Sequence, residues 1–409
     1  MWKYVFTRLA LIVVIASFTG CGSFRKILHY EGPSMELAEE LDDIWYEPPP
    51  LYDDMSLESL ENAVAESIEY LERKKPSSKL RFGDRTISPD ELIMTLNRLA
   101  DIFRVERDQG KRAKIIEREF DIYRGTAWRR KGNALVTGYY QPVLNGSLTQ
   151  DDRYRWPLYS KPDDLVTVNL GLFSKKLKYK RIVGRVKNGR LVPYHDRKAI
   201  DRKKALADKG IEIVWVDNPV DIFFLQIQGS GIVRFEDGEK VFVNYAATNG
   251  HRYKAIGRLL IKEGAIPREK MSMQAIRKWL ERNPEEVERV LNYNKSYIFF
   301  RKMDDGPFGS TGAKLTPGRS AAFDPRRFPK GSVAHITVDI PVLKDGVMTG
   351  WKKVNRFIFN QDQGGAIKGS GRMDLFFGAG DEAAEAAGLM KQPGELYFLI
   401  LKERQLNPE

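Results

Sequence analysis

Three aspartates toward the end of the chain are the side chains best suited to acid–base chemistry. Asp324 follows an alanine and a phenylalanine, Asp362 ends a predicted strand, and Asp374 lies twelve residues further on. Glycines between the last two allow the backbone to turn back, so that both can face one cleft. Burial among apolar residues raises the pKa of a carboxyl, which can then protonate a leaving-group oxygen near neutral pH. A plainer interpretation stays open, in which Asp324 caps a turn and Asp362 and Asp374 lie in surface turns.

The common alternatives to carboxylate chemistry lack their residues or their spacing. The single cysteine, Cys21, lies near the start of the chain, and the four histidines show no metal-ligand spacing. Gln228–Gly231 lacks the spacing of a nucleophile elbow. Gly309–Lys314 lacks the phosphate-loop spacing, and Gly378–Gly380 opens no dinucleotide-binding unit. We therefore predict no metal and no cofactor, and we interpret each glycine cluster as a tight turn.

The elements that must position these carboxylates begin with helices. Apolar residues recur at helical spacing from Leu57 to Leu71, and Ser88-Pro89-Asp90-Glu91 has the pattern of a helix start with a capping box. A strand is predicted from Ala134 to Tyr140. Short β-rich runs with turn signals follow, at Tyr179–Val183, Leu191–Tyr194, Ile211–Val216, Phe223–Gln228, Ile232–Phe235 and Val241–Tyr245.

Helical patterns return beyond residue 250, and strands complete the chain. Helices are predicted at 251–263, at 272–282 and from Asn283-Pro284-Glu285-Glu286, the last with the pattern of a capping box, and strands at Tyr297–Phe300, Val333–Val338, Arg356–Asn360 and Leu396–Leu401. The order helix, β, helix, β predicts that one β domain interrupts another unit. We place the inserted domain at 145–248 and the interrupted one at 56–144 and 249–409.

The first residues resemble the leader of a bacterial lipoprotein. A basic start and an apolar block from Leu9 to Phe18 lead to Thr19-Gly20-Cys21, and the block is too short for a membrane span. We predict a signal peptide at 1–20, acylation of Cys21, a tether at 21–55, and a location on the periplasmic face of the outer membrane. An uncleaved signal anchor is the alternative, since Phe18 stands where leucine is usual.

The formal charge of +12 favours contact with polyanions. Nucleic acid, anionic lipid and the acidic bacterial wall would all fit such a charge. The chain has no zinc-finger spacing, no basic region with heptads and no RNA-binding aromatic signature. We therefore predict no nucleic-acid partner, and no motif indicates a protein partner.

At these residues the chain resembles the membrane-bound lytic murein transglycosylases of type A, which end in a three-aspartate domain. The match spans roughly 135–402 and is carried by Thr137–Pro142, Phe223–Gly231, Tyr245–His251 with Met271–Ile276, Pro317–Ser320, and Gln361–Gly369 through Asp374. The resemblance implies a mainly β fold with flanking helices. Its core would be a double-psi β-barrel with a smaller inserted β domain and a groove between them.

The resemblance also implies the activity, namely cleavage of peptidoglycan glycan strands with Asp374 as the catalytic residue and Asp362 and Asp324 as its neighbours. The C6 hydroxyl of the muramyl sugar would be the nucleophile, so one carboxyl can act first as acid and then as base. Candidates for holding the substrate are Thr137, Tyr139, Tyr140, Gln226, Gln228, Ser230, Lys314 and Arg319. Two alternatives stay open: a hydrolase with Asp374 as acid and Asp362 as base, and a wall-binding lipoprotein without activity.

Overall fold

The computed structural model describes residues 34–38, 50–125 and 133–406. The predicted signal peptide, Cys21 and all of the predicted tether except residues 34–38 and 50–55 lie outside the described residues. Within the described ranges, no helix is long and apolar enough to cross a membrane.

Nineteen strands and ten helices make up the described part of the chain. The strands are β1 Met35–Leu37, β2 Leu80–Phe82, β3 Arg85–Ile87, β4 Phe120–Gly125, β5 Asn133–Gln141, β6 Val143–Ser147, β7 Trp156–Tyr159, β8 Val166–Asn169, β9 Arg181–Lys187, β10 Arg190–Pro193, β11 Glu212–Val216, β12 Ser230–Arg234, β13 Lys240–Thr248, β14 Ile298–Met303, β15 Ser320–Ala322, β16 Val333–Lys344, β17 Val347–Asp362, β18 Arg372–Ala379 and β19 Lys391–Leu401. The helices are α1 Leu57–Glu72, α2 Pro89–Val105, α3 Gln109–Glu119, α4 Arg197–Asp201, α5 Pro219–Gln228, α6 Ile256–Lys262, α7 Met273–Arg282, α8 Val287–Tyr293, α9 Asp381–Leu389 and α10 Glu403–Leu406.

Six strands close into a barrel. The order β5, β19, β16, β17, β15, β18 returns to β5, because β19 pairs with both β16 and β5. Two pairs in the ring are parallel, β15 with β17 and β18 with β5, and the others are antiparallel. β4 and β1 continue the sheet beyond β19. This ring confirms the predicted mainly β fold with flanking helices and a double-psi β-barrel.

Helices α1 and α2 cover the barrel with apolar faces. Leu60 and Leu71 of α1 and Leu92 and Leu96 of α2 are buried in one cluster with the barrel strands. Each such leucine stabilises the fold by about 1.5–3 kcal/mol. The predicted capping box at the start of α2 is present, since the Ser88 hydroxyl accepts from the Glu91 N–H at 3.2 Å and the Glu91 carboxylate accepts from the Ser88 N–H at 2.6 Å.

The chain between β5 and β15 forms two further sheets. One has six strands in the order β14, β13, β12, β6, β11, β7, and the other has three in the order β10, β9, β8. The first sheet includes β14, which lies beyond residue 248, the end of the predicted inserted domain. The bounds of that domain stay a prediction.

The strand predicted at Phe223–Gln228 is wrong, because these residues form α5. Asn218 caps the helix by accepting from the Val220 N–H at 2.9 Å, Pro219 is in its first turn, and Gly229 ends it with φ 86°. The helix is buried on most sides, so its apolar residues show no helical period. A short apolar run of this kind does not distinguish a buried helix from a strand, and the flanking cap residues were the better signal.

The capping box predicted at Asn283 is also wrong. The Asn283 side chain donates to the Trp279 carbonyl at 2.7 Å and so serves the preceding helix, α7. A single 3-10 turn, Pro284–Glu286, separates α7 from α8. Asn283 directly follows the last residue of α7, so its side chain binds that helix and does not cap the next one. Residue spacing alone does not reveal this.

Candidate active site

Asp362 and Asp374 lie on either side of one short barrel strand, β15. Ala322 of β15 opposes Asp362 in the parallel pair with β17 and Asp374 in the antiparallel pair with β18. Adjacent strands are about 4.8 Å apart, so the two backbone positions are about 10 Å apart across the sheet. The register shifts between Ala321 and Ala322, so that Asp362 and not Gln361 lies opposite Ala322. A bulge of this kind re-aims side chains beside functional sites.

The Asp374 carboxyl is partly buried, and the Thr137 hydroxyl of β5 donates to its Oδ1. Burial raises the pKa of Asp374 to about 7, the Arg372 charge lowers it, and the negative charge of Asp362 raises it. Burial is the largest of these effects, because water is no longer available to solvate the anion. Asp374 therefore exchanges its proton near neutral pH.

Asp362 is held by backbone donors. Its Oδ1 accepts from the N–H groups of Ser310 and Gln363, both at 2.8 Å. Burial raises the pKa of Asp362, while these hydrogen bonds oppose the rise because they favour the charged form. The carboxyl is thus fixed in place beside Asp374 and influences its charge.

Tyr139 lies near the carboxyls of Asp362 and Asp374 and packs against an aromatic neighbour. Its ring centroid is 5.2 Å from that of Phe376, and the rings are tilted by 44°. Its hydroxyl is buried without a hydrogen bond of ordinary geometry to any described residue. Burial raises the pKa of Tyr139, and the charges of Asp362 and Asp374 raise it further. The hydroxyl is therefore a neutral donor beside both carboxyls.

Asp324 is a structural residue in this geometry and not a proton donor. Its side chain is 1% exposed and accepts from the Arg326 guanidinium at 2.7 Å and from the Gly369 N–H at 2.8 Å. Burial alone would raise the pKa of Asp324, but these hydrogen bonds lower it to about 2. The raised pKa expected from its apolar neighbours is therefore wrong, because a cation two residues away pairs with it. Asp324 instead ties its own loop to the one that precedes β18.

The predicted contact of Arg319 with substrate carboxylates is also wrong. Arg319 is completely buried and pairs with Asp53 at 2.5 and 2.7 Å, and it also donates to the Phe357 carbonyl. It therefore joins the segment before α1 to the barrel. Lys314 is about half exposed and pairs with Asp305.

Of the other predicted substrate residues, Tyr140 and Gln226 are structural. Tyr140 alternates with Tyr139 along β5, so it points away from Asp374 and packs on Ala383 and Ala387 of α9. Gln226 is buried in α5, where its side chain accepts from Arg197.

Gln228 and Ser230 flank the glycine that ends α5, and both are partly exposed. The Gln228 side chain accepts from the Tyr140 N–H at 3.4 Å, so it lies next to β5. Ser230 begins β12, opposite Asn244. Thr137 and Tyr139 are thus the predicted residues that the structure brings to the carboxyls, while the Gln228 side chain contacts β5 at Tyr140 and Ser230 pairs with Asn244.

Sequence reasoning missed three neighbours of the carboxyls. Ser310 binds Asp362, and the Lys330 ammonium donates to the Ser310 hydroxyl at 2.9 Å. Arg372, two residues before Asp374 on the same strand face, is the nearest cation acting on it. The period of two along β18 could have identified Arg372. Ser310 could not have been found this way, because it lies outside any strand and 52 residues before Asp362.

A cavity of about 850 Å³ lies in the inserted β region and not at the carboxyls. Lys161, Arg181 and Arg252 contribute cations to its lining, and Tyr245 stands at one side. One hydrogen bond connects a strand beside the cavity to the loop that binds Asp362. Asn244, next to Tyr245, donates to the Phe308 carbonyl at 2.8 Å, two residues before Ser310. The cavity and the carboxyls therefore share one connecting segment.

Comparison with known proteins gives two matching family models. The MltA specific insert domain matches residues 135–301, and the 3D domain matches residues 319–400. The second range contains β15, β17 and β18, which position Asp362 and Asp374.

Curated relatives match over most of their length. The membrane-bound lytic murein transglycosylase A of Escherichia coli strain K12 is 32% identical over 290 residues, which is 69% of this chain and 70% of that protein. The protein of the same name from Vibrio cholerae is 32% identical over 277 residues, 67% of each chain.

Solved structures agree with this likeness. The membrane-bound lytic murein transglycosylase from Agrobacterium tumefaciens has a TM-score of 0.70 and 32% identity, covering 85% of this chain and 93% of that one. The structure of Escherichia coli MltA with bound chitohexaose has a TM-score of 0.66 and 26% identity, covering 91% of this chain and 95% of that one.

Proposed function

The chain belongs to the membrane-bound lytic murein transglycosylase A family, and on that premise we propose that it cleaves peptidoglycan strands with Asp374 as the single acid and base. The bond broken is the β-1,4 linkage between N-acetylmuramic acid and N-acetylglucosamine, and the product has a 1,6-anhydromuramyl end. The observation that carries this assignment is the partly buried Asp374 carboxyl, whose pKa is raised to about 7. A group with that pKa can donate and accept a proton at neutral pH.

In the first half of the reaction, Asp374 acts as the acid. The Thr137 hydroxyl engages Oδ1 of Asp374, which leaves Oδ2 for the substrate. Asp374 gives its proton to the glycosidic oxygen as the bond from that oxygen to C1 of the muramyl sugar breaks. The N-acetylglucosamine unit leaves with a free 4-hydroxyl, and positive charge develops at C1.

In the second half, the same carboxylate acts as the base. The C6 hydroxyl of the muramyl sugar attacks C1, and Asp374 takes up the proton that this hydroxyl releases. The atoms balance without water, and Asp374 is again protonated for the next cycle. Attack within one sugar gains the large effective molarity of an intramolecular reaction, of the order of 10⁵–10⁸ M in well-oriented systems.

A second catalytic carboxyl is not required by this scheme. Asp324 is tied by Arg326 and the Gly369 N–H and has a pKa of about 2, so it cannot donate a proton near neutral pH. Asp362 is fixed by two backbone N–H groups. We assign it to raising the pKa of Asp374 and to stabilising the positive charge at C1.

The glycan strand is expected to lie across the open side of the carboxyl pair. Tyr139, which is partly exposed and packs against the buried Phe376 ring, offers aromatic surface there, and the partly exposed Gln228 and Ser230 offer polar groups. Chitohexaose bound by the Escherichia coli relative supports a site for a long saccharide in this fold. We assign two cations that line the cavity, Lys161 and Arg252, to contacts with carboxylates of the wall, in place of the contact predicted for Arg319.

Membrane association follows from the relatives, whose names describe them as membrane-bound. We propose the finer statement that Cys21 is acylated and holds the enzyme on the periplasmic face of the outer membrane. The support is the sequence Thr19-Gly20-Cys21 after an apolar block, with no aspartate following the cysteine. Labelling cells with radioactive palmitate tests it, because the label should enter the wild-type chain and be absent from Cys21→Ser.

The catalytic assignment is tested on purified sacculi with Asp374→Asn, which removes the transferable proton at nearly constant shape. We expect kcat to fall by roughly 10²–10⁴-fold, the usual contribution of a general acid or base. Mass spectrometry of the wild-type products should show anhydro ends, lighter by one water than reducing ends.

Asp345→Asn is the matched control, since it makes the same chemical change in an exposed turn between β16 and β17. Its activity should equal that of the wild type. Reducing ends would instead identify a hydrolase with Asp362 as base, and undiminished lysis by Asp374→Asn would rule out this carboxyl as the catalyst.

A further inference from the structure

Residues 170–180, which connect β8 and β9, form a compact loop that we call the basic loop. Two 3-10 turns, Leu170–Leu172 and Lys175–Leu177, make up most of it. The Leu170 N–H donates to the Lys180 carbonyl at 3.0 Å, so the two ends of the loop are joined. A short loop that closes on itself in this way has a fixed surface, as functional surface loops often do.

The basic loop displays large apolar side chains to solvent. Leu172 is 82% exposed, Phe173 76% and Tyr179 86%. Residues of this size normally lie in a core or an interface. Tyr179 also has a φ of 71°, a left-handed conformation that costs an aromatic residue free energy and that is found mainly at functional positions. The loop therefore keeps apolar groups outward against their usual preference.

The same loop is strongly basic. Its exposed cations, continued by the first residue of β9, are Lys175, Lys176, Lys178, Lys180 and Arg181. No aspartate or glutamate occurs between Leu165 and His195 to offset them. The Lys178 ammonium lies 5.1 Å from the centre of the Tyr179 ring, so charge and aromatic surface are directly adjacent.

We propose that the basic loop docks on an anionic phospholipid bilayer. Lysines adjacent to leucine, phenylalanine and tyrosine match the two layers of a membrane surface, in which negative headgroups cover hydrocarbon. The glycan and peptides of the wall supply carboxylates but no hydrocarbon layer that would cover Leu172 and Phe173. The combination of charge and exposed apolar surface therefore favours lipid as the occupant.

This contact goes beyond the proposed function and depends on neither Cys21 nor Asp374. A lipid anchor and a basic docking site act together, because the first holds the second near the surface. Docking through the basic loop would fix which way the three-stranded sheet faces, whereas an anchor on a tether leaves the orientation free. The enzyme would thus present its carboxyls to the wall in a defined direction.

The test uses the unlipidated chain from Gly22 onward, which retains every described residue. It is sedimented with vesicles of phosphatidylglycerol and phosphatidylcholine, or of phosphatidylcholine alone. We expect binding to the anionic vesicles that weakens as salt is added. Lys175→Glu/Lys176→Glu and Leu172→Ala/Phe173→Ala should each reduce the partition coefficient about tenfold, the first through charge and the second through apolar contact.

Arg268→Glu/Lys270→Glu is the matched control, because it makes the same charge change at an exposed turn elsewhere. It should bind within about twofold of the wild type if location and not net charge decides. All four chains should cleave soluble glycan fragments at equal rates, which separates this test from the catalytic assignment. Equal loss in the control, absence of wild-type binding, or loss of sacculus binding with unchanged vesicle binding would each overturn the proposal, the last in favour of a wall contact.

Discussion

At the scale of single residues, the proposed mechanism depends on the pH at which the Asp374 carboxyl loses its proton. Burial sets the pKa near 7, and two charged neighbours act on it in opposite directions. Arg372 lowers the pKa because a positive charge stabilises the carboxylate, and Asp362 raises it because a negative charge opposes ionisation. In the proposed mechanism, burial together with these two opposing charges sets the pH range of the enzyme.

The pH profile of kcat/KM should follow that balance. Because the first step needs protonated Asp374, the rate should be constant at low pH and fall above about pH 7. Asp362→Asn removes the negative neighbour, lowers the pKa of Asp374 and moves the fall to lower pH. Arg372→Gln removes the positive neighbour and moves it to higher pH. Initial rates of muropeptide release measure both shifts, and movement in the same direction would contradict the assignment.

In the proposed mechanism Thr137 is a positioning residue, because its hydroxyl binds Asp374 and would act on the substrate only through that carboxyl. Thr137→Val keeps the shape and removes the hydrogen bond to Oδ1, which favours the charged form. We expect kcat to fall about tenfold, KM to stay unchanged and the apparent pKa of the rate to rise, since a hydrogen bond to a charged group contributes about 1.5–3 kcal/mol. Thr137→Ser should restore both rate and pKa, whereas a packing defect would leave the serine variant impaired.

At the scale of elements, strand β5, which carries Thr137, packs closely against helix α9. A Cβ added at Gly138 would lie 2.7 Å from the Ala387 Cα and 2.8 Å from the Phe377 ring. Both neighbours are constrained, one by a helix backbone and one by a ring packed beside the barrel. The glycine is therefore required by contact between two elements.

Gly138→Ala should accordingly lower the free energy of unfolding by about 1–3 kcal/mol, the usual cost of overpacking. Thermal unfolding followed by circular dichroism measures the change. Gly350→Ala is the matched control, because nothing lies within 4 Å of its added Cβ in another barrel strand. Equal unfolding temperatures for the two variants would show that β5 and α9 can separate without cost.

Some elements could be predicted from sequence because their signals are local. The capping box at Ser88 and the strand at β5 depend on neighbouring residues alone, and both are present. The Phe223–Gln228 segment could not be assigned by period, since burial on most sides removes the polar face that marks a helix. The contacts of Arg319 and Asp324 could not be predicted either, because Arg319 binds Asp53, which is 266 residues away, and Asp324 accepts from the Gly369 N–H, which is 45 residues away.

At the scale of the whole molecule, the segment before α1 is fastened to the barrel by a buried ion pair. Asp53 is 5% exposed and Arg319 is completely buried. Removing one partner leaves the other charge without compensation in a medium that solvates it poorly. The pair therefore joins Asp53, in the segment before α1, to Arg319, which immediately precedes β15.

Asp53→Ala should lower the free energy of unfolding by about 3–5 kcal/mol, the usual effect of leaving a buried charge unpaired. The double variant with Arg319→Met should be more stable than Asp53→Ala alone. Arg104→Ala, which breaks an exposed pair with Glu61, is the control and should cost less than about 1 kcal/mol. Urea unfolding measures all three, and a double variant less stable than Asp53→Ala alone would show that the unpaired charge of Arg319 is not the cause of the loss.

Closure of the barrel has a consequence for when the enzyme becomes active. Thr137 and Asp374 meet only after some 237 residues of intervening chain have been synthesised. The ring is sealed still later, when β19 reaches β5 from the other side. Contacts so distant in sequence form slowly, since much entropy is lost before they are made. A chain whose last strand has not yet been synthesised therefore lacks a closed barrel, and on the proposed mechanism it cannot cleave the wall until β19 has paired with β5.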